Sequence, residues 1–239
     1  MQLTQSLSRT PTPTLVSRFA RLELQALGWR LARALGIGRP LPIALEDLPI
    51  PDSKLAREAT ALVERCEPRF LVNHSIRTYL FGAAIKRHLG LRFDAELAYL
   101  ASILHDLALV APYDTEGSFE LNGARAARAF LLEQGADPER ADIVHEAIAL
   151  HSAVGIAHLR EPEIAFVHFG AGLDVIGFHA QNVAPETREA IVAAHPRLDF
   201  KREFSKLIED QATRKPDCHI AGHYALGFNG KVARAPYAE

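Results

Sequence analysis

No stretch of this chain sustains the period-two alternation of a half-buried strand, whereas from Asp52 onward apolar positions recur at helical spacing between proline and glycine stops. That contrast restricts the chain to an all-α fold. Asp52 and Ser53 are N-cap candidates for a helix running to Glu67, and the next helix, 70–89, is stopped by Gly90. Further helices are expected over 94–110, 122–134, 138–152, 162–175, 185–195 and 201–213. Upstream, 15–35 reads as an amphipathic helix with Leu15, Phe19, Leu22, Ala26 and Trp29 near one face, weakened where Arg33 falls on that face. It is expected to pack on the body or on a partner subunit. Its arginines make a membrane-surface or organelle-targeting helix the minor alternative, against which Glu23 counts. Residues 1–13, rich in Ser, Thr, Gln and Pro, are expected to be poorly ordered. The Pro/Gly-rich linker 36–51 joins the helix to the body. The organisation expected is an arm and linker over 1–49, one domain over 50–216 and a tail over 217–239.

A chain of 239 residues with 27 Lys and Arg against 29 Asp and Glu has no basic field to attract nucleic acid. Its two cysteines, Cys66 and Cys218, match no zinc-binding spacing, so any metal would be held by histidine and carboxylate. There is no apolar run of the roughly 18 residues a membrane span needs, and residues 1–22 lack the pattern of a secretory leader. A cytoplasmic location is therefore expected.

Polar residues inside apolar helical runs carry the functional signal, because burying them unpaired is costly. In Tyr99-Leu-Ala-Ser-Ile-Leu-His105-Asp106-Leu-Ala-Leu-Val110, a His-Asp doublet interrupts an otherwise apolar helix. A divalent cation would compensate both groups. Two further clusters keep it company: Asn73-His74-Ser-Ile-Arg77 upstream, and Asp174 among small and apolar residues in Phe169-Gly-Ala-Gly-Leu-Asp174-Val-Ile-Gly177. One His, a His-Asp doublet and a late Asp, each on its own helix, could wrap one cation.

That order resembles the HD-domain superfamily of metal-dependent hydrolases, which are all-α helical bundles. The resemblance implies His74, His105, Asp106 and Asp174 as metal ligands. A narrower similarity, to the cyanamide hydratase branch, rests on Asn73-His-Ser-Ile-Arg-Thr-Tyr-Leu-Phe-Gly82, Phe119-Glu-Leu-Asn-Gly-Ala-Arg-Ala-Ala127, Ala147-Ile-Ala-Leu-His-Ser152, Ile50-Pro-Asp-Ser53 and His195-Pro-Arg197. It implies a zinc enzyme that adds water across the carbon–nitrogen triple bond of cyanamide to give urea. Dinuclear relatives place a histidine before the equivalent of Gly123-Ala124, where this chain has Asn122. One divalent metal is therefore expected, Zn first, with Fe, Mn, Co and Ni as alternatives.

With four protein ligands, a water would complete the site, its pKa lowered by the cation to roughly 7–9. His151 or His145 is expected to transfer the proton, with His151 favoured. The two are six residues apart, about 240° around a helix, so they cannot both face one small site. Asn73 is expected to bind substrate or orient water. Arg77, Phe119 and Asn122 are further candidates for substrate contact, Arg77 alternatively pairing with Asp94, Glu96 or Glu120. The remaining histidines, 88, 158, 168, 179, 195, 219 and 223, are read as surface or packing residues. The rival functions are phosphate hydrolysis of a nucleotide or phosphomonoester and a non-catalytic binding role with a structural metal. The expected partners are a small-molecule substrate and a second copy of the chain.

Overall fold

The computed structural model describes residues 10–90 and 92–239; the side chains of Arg87, His88 and His158 lie outside that description, so the reading of His88 and His158 falls outside it too. Eleven α-helices and no strand are found among the described residues: α1 (Thr12–Ala34), α2 (Lys54–Cys66), α3 (Arg69–Leu89), α4 (Ala95–Leu104), α5 (Phe119–Glu133), α6 (Pro138–Leu150), α7 (Pro162–Ile176), α8 (Pro185–Ala194), α9 (Phe200–Arg214), α10 (His219–Ala225) and α11 (Phe228–Ala233). Starts and stops follow local chemistry. Ser53 caps α2 by accepting from the Ala56 amide at 3.0 Å, Asp94 caps α4 and Ser118 caps α5. Gly90 and Gly177 end α3 and α7 in the left-handed conformation.

The centre of the bundle is the pair α3 and α7, both buried on nearly every face. They are drawn together by missing side chains. A Cβ on Gly170 would stand 2.1 Å from the Thr78 carbonyl oxygen, and one on Gly82 would stand 2.6 Å from the Phe166 ring. This close crossing carries the site, because His74 lies one turn before Thr78 and Asp174 one turn after Gly170.

Three expectations need correction. The helix expected over 94–110 ends at Leu104; the chain then passes through His105 and Asp106 into a 3-10 turn, Leu107–Leu109. Leaving the helix at Asp106 (φ −103, ψ 6) removes the 100° separation of adjacent helical side chains and lets both residues face one point. The tail over 217–239, where the sequence reading places no helix, forms α10 and α11. Of residues 1–13, residues 1–9 lie outside the described residues, and Thr12 and Pro13 already belong to α1.

Helix α1 lies on the body by most of the face read from the sequence, with Leu15 and Ala26 buried and Phe19 and Leu22 half-buried, whereas Trp29, placed on that face, is exposed. Polar contacts also hold it: Arg18 donates to the Val154 carbonyl (3.2 Å), Arg33 to Asn182 (2.9 Å), and Glu23 accepts from Lys231 (3.1 Å). The linker is docked too, the Ile43 amide donating to Thr187 at 2.7 Å. No helix among the described residues is long and apolar enough to cross a membrane.

Candidate metal centre

His74, from the middle of α3, and the doublet just past α4 meet in the core. His74 Nε2 lies 3.2 Å from His105 Nε2 and 3.4 Å from Asp106 Oδ2, and His105 Nε2 lies 3.3 Å from the same oxygen. All three residues are buried. Their protonation follows from what stands behind them. His105 Nδ1 is 2.7 Å from the Ser102 carbonyl, which can only accept, so Nδ1 carries the proton. His74 Nδ1 is 2.7 Å from Asp174 Oδ2 and donates to that carboxylate. In the neutral rings each Nε2 therefore presents a lone pair.

Two imidazole lone pairs and a carboxylate oxygen thus converge within about one hydrogen-bond length, with no proton on any of the three atoms to bridge them. Asp106 Oδ2 is buried and makes no hydrogen bond. Burial drives His105 down to about 3, so it stays neutral. Burial opposes ionisation of Asp106, yet the facing imidazoles of His105 and His74 hold it at about 2. Burial would likewise lower His74, but the carboxylates of Asp174 and Asp106 on either side of it raise it instead. These three residues could hold a metal ion, and their nitrogen and oxygen donors suit a borderline divalent cation.

Asp174 stands on the other side of His74. Its Oδ1 accepts from Arg77 Nε (2.8 Å) and Arg197 Nη1 (2.9 Å), and its Oδ2 from Arg77 Nη2 (2.8 Å) and His74 Nδ1. Burial would raise Asp174, but the two guanidinium groups hold it far below the usual carboxylate range. The four expected ligands are therefore divided: three share a point, and Asp174 supports one of them from behind. Arg77 pairs with Asp174 and with none of Asp94, Glu96 or Glu120, because its position on α3 faces α7.

A cavity of about 430 Å³ opens above the trio. Phe119 and His151 line it, as do Ser152, Val175, Phe178 and Phe204, while Phe19, Leu22 and Ala26 of α1 form its roof. His151 Nδ1 donates to the Ile148 carbonyl at 2.7 Å, turning Nε2 toward Asp106 Oδ1 at 4.0 Å. Other expected contacts lie elsewhere. Asn73 donates to the Pro196 carbonyl (2.8 Å) and Asn122 to the carbonyls of Thr115 and Glu116 (3.1 and 3.0 Å); neither lines the cavity. His145, half-buried and lowered first by burial and then by Arg128, is also outside it.

Two histidines read as surface or packing residues, and one arginine given no role, belong here. His168 lines the cavity, with Nδ1 2.7 Å from the His151 carbonyl. His223 reaches the cavity from the tail, its Nε2 3.0 Å from that of the buried His219; the i, i+4 spacing of the two was a usable signal. Arg197 grips Asp174 from beyond α8, which only the fold reveals.

The family model of the HD domain matches residues 71–195, which takes in His74, the doublet, Asp174 and His151. The chain belongs to the HD-domain family. Two Saccharomyces cerevisiae (strain ATCC 204508 / S288c) proteins, cyanamide hydratase DDI2 and cyanamide hydratase DDI3, are each 28% identical to it over 204 residues, covering 82% of this chain and 88% of theirs. This HD-domain protein is a metal-dependent hydrolase or hydro-lyase. Its fold class agrees with the all-α reading of the sequence.

Proposed function

We propose that this HD-domain enzyme adds water to a nitrile-like substrate, as in the conversion of cyanamide to urea, using one divalent metal, zinc first, held by His74, His105 and Asp106. The observation that carries this reading is the trio itself, which lines a cavity whose Arg and Lys side chains come from α1, α11 and the residue after α11. Arg30, Lys231 and Arg234 line the roof and rim, whereas Arg77 and Arg197 are committed to Asp174. A phosphate next to the trio would want convergent cations there, and the floor offers none among the described residues. A neutral substrate needs none. The comparison with two cyanamide hydratases supports the same class.

A bound cation would supply Lewis-acid activation of water and of the electrophilic carbon. The chain's own residues do the rest. Asp174, fixed by two arginines, locks the His74 tautomer and leaves Nε2 as a donor atom; the Ser102 carbonyl does so for His105. His151, whose Nδ1 donates to the Ile148 carbonyl, presents the Nε2 lone pair to the space beside Asp106 and can take a proton from the attacking water and return it to the developing nitrogen anion. Phe119 meets His151 edge-on at 5.7 Å and Phe204 lies 5.6 Å from His74, so the reacting centre is walled by aromatic rings. Three protein ligands leave an open coordination position, which favours catalysis over a structural metal. Free Cys66 and Cys218 fit the cytoplasm.

The test is urea release from cyanamide measured beside phosphate release from a nucleotide panel. Metal-dependent urea release supports the proposal; metal-dependent phosphate release without urea would replace it with phosphohydrolysis.

A further inference from the structure

We propose that the preferred substrate is a nitrile or N-substituted cyanamide bearing an aryl-sized apolar group, an inference that rests on the hydration reading above. Cyanamide has three non-hydrogen atoms, whereas cavities of roughly 300–1,000 Å³ house drug-sized ligands, and this one is about 430 Å³. Beyond the trio and His151 the walls are mainly apolar, formed by Phe119, Val175, Phe178, Phe204, Ile208 and Ile220. Cyanamide bound at the floor would touch few of these and leave the apolar walls in water. A phenyl ring attached to the reacting group would reach them and bury apolar area against them.

The test compares cyanamide with phenylcyanamide in turnover, and urea with phenylurea by calorimetry on the same purified protein. The expected results are a kcat/KM for phenylcyanamide at least tenfold above that for cyanamide, and phenylurea binding at least tenfold tighter than urea. Equal or better turnover of cyanamide, or equal binding of the two ureas, overturns the inference. Tight phenylurea binding with neither cyanamide hydrated supports the apolar preference and counts against hydration, so the two failures are told apart.

A second inference rests on a different surface. Nine of the eleven exposed large apolar residues lie between Val16 and Ile50. On the outer face of α1 and at its end, Val16, Leu24, Leu27, Leu31 and Leu35 form a stripe opposite the buried Leu15 and Ala26. The structure assigns this stripe to a second copy of the chain, paired antiparallel about a two-fold axis. Glu23 and Arg30, seven residues apart, lie along one flank of the stripe. Centring the pair between Ala26 and Leu27 therefore sets Glu23 of each copy beside Arg30 of the other. Glu23 is free to accept that contact, since its carboxylate is 58% exposed and only one oxygen meets Lys231. The inner face of the same helix roofs the cavity, so pairing would brace the site.

Sedimentation of the full chain at tens of micromolar should show a dimer. Leu24→Asp with Leu31→Asp should give a monomer of unchanged helicity, and Glu23→Arg should weaken a dimer that Arg30→Glu then restores. A monomeric wild type overturns the inference, whether or not it binds anionic vesicles, as does a dimer that survives both aspartates.

Discussion

His74 separates two buried aspartates whose surroundings could hardly differ more. On its Nδ1 side both oxygens of Asp174 are matched by donors from Arg77, Arg197 and His74 itself. On its Nε2 side Asp106 faces two lone pairs, and one of its oxygens has no hydrogen bond at all. Opposite charge within the chain completes the first cluster. The second has no Arg or Lys beside it, and on the proposed reading a cation from outside completes it. On the proposed reading, the difference separates a carboxylate that supports the site from one that belongs to its chemistry, although both are equally buried.

Breaking the first cluster should have the largest effect. Asp174→Asn leaves two buried guanidinium groups facing a neutral amide and should cost about 3–5 kcal/mol of stability in chemical denaturation of metal-free protein. Because burial raises Asp174 and its arginines lower it further than that, this contribution is present at neutral pH and is lost as pH falls through the depressed value. Gly170→Ala comes next. Its methyl would collide with the Thr78 carbonyl and push α7 from α3, for a loss of about 1–3 kcal/mol, with weakened metal binding because His74 and Asp174 ride on those helices. By contrast, Asp106 has no guanidinium partner and one oxygen without a hydrogen bond, so Asp106→Asn in the metal-free protein should cost only about 1–2 kcal/mol, well below the loss in Asp174→Asn. A loss in Asp106→Asn equal to that in Asp174→Asn would erase the distinction.

The smallest effect is expected at the edge of the bundle, where Arg140 bridges Asp94 (2.8 Å) and Glu96 (2.7 Å). Burial would raise Asp94, but the Arg140 and Leu97 hydrogen bonds lower it, so the pair stabilises above that lowered value and fades as pH drops through it. Arg140→Ala should cost about 0.5 kcal/mol or less at neutral pH and nothing in strong acid, followed by thermal melting across pH.

Helices were legible because periodicity and capping are local: Ser53, Gly90 and Asp94 act where the sequence places them. The unwinding at His105 and Asp106 was not, since nothing local breaks that helix; tertiary convergence on His74 does. The trio was readable as buried polar residues in apolar runs. The division of labour between Asp106 and Asp174 was not, because it depends on Arg197, which arrives from beyond α8. Nor could the sequence show that the tail would bring His223 to the cavity and α1 would roof it, as both are long-range packing outcomes.

Metal content is the most direct test of the central claim that the chain lacks one cation at Asp106 and none at Asp174. Protein purified from metal-replete medium should carry about one divalent ion per chain, and Asp106→Asn, or His105→Ala with Asp106→Ala, should carry essentially none while remaining folded. A wild type that binds no divalent ion, or a folded Asp106→Asn that keeps a full equivalent, would contradict it.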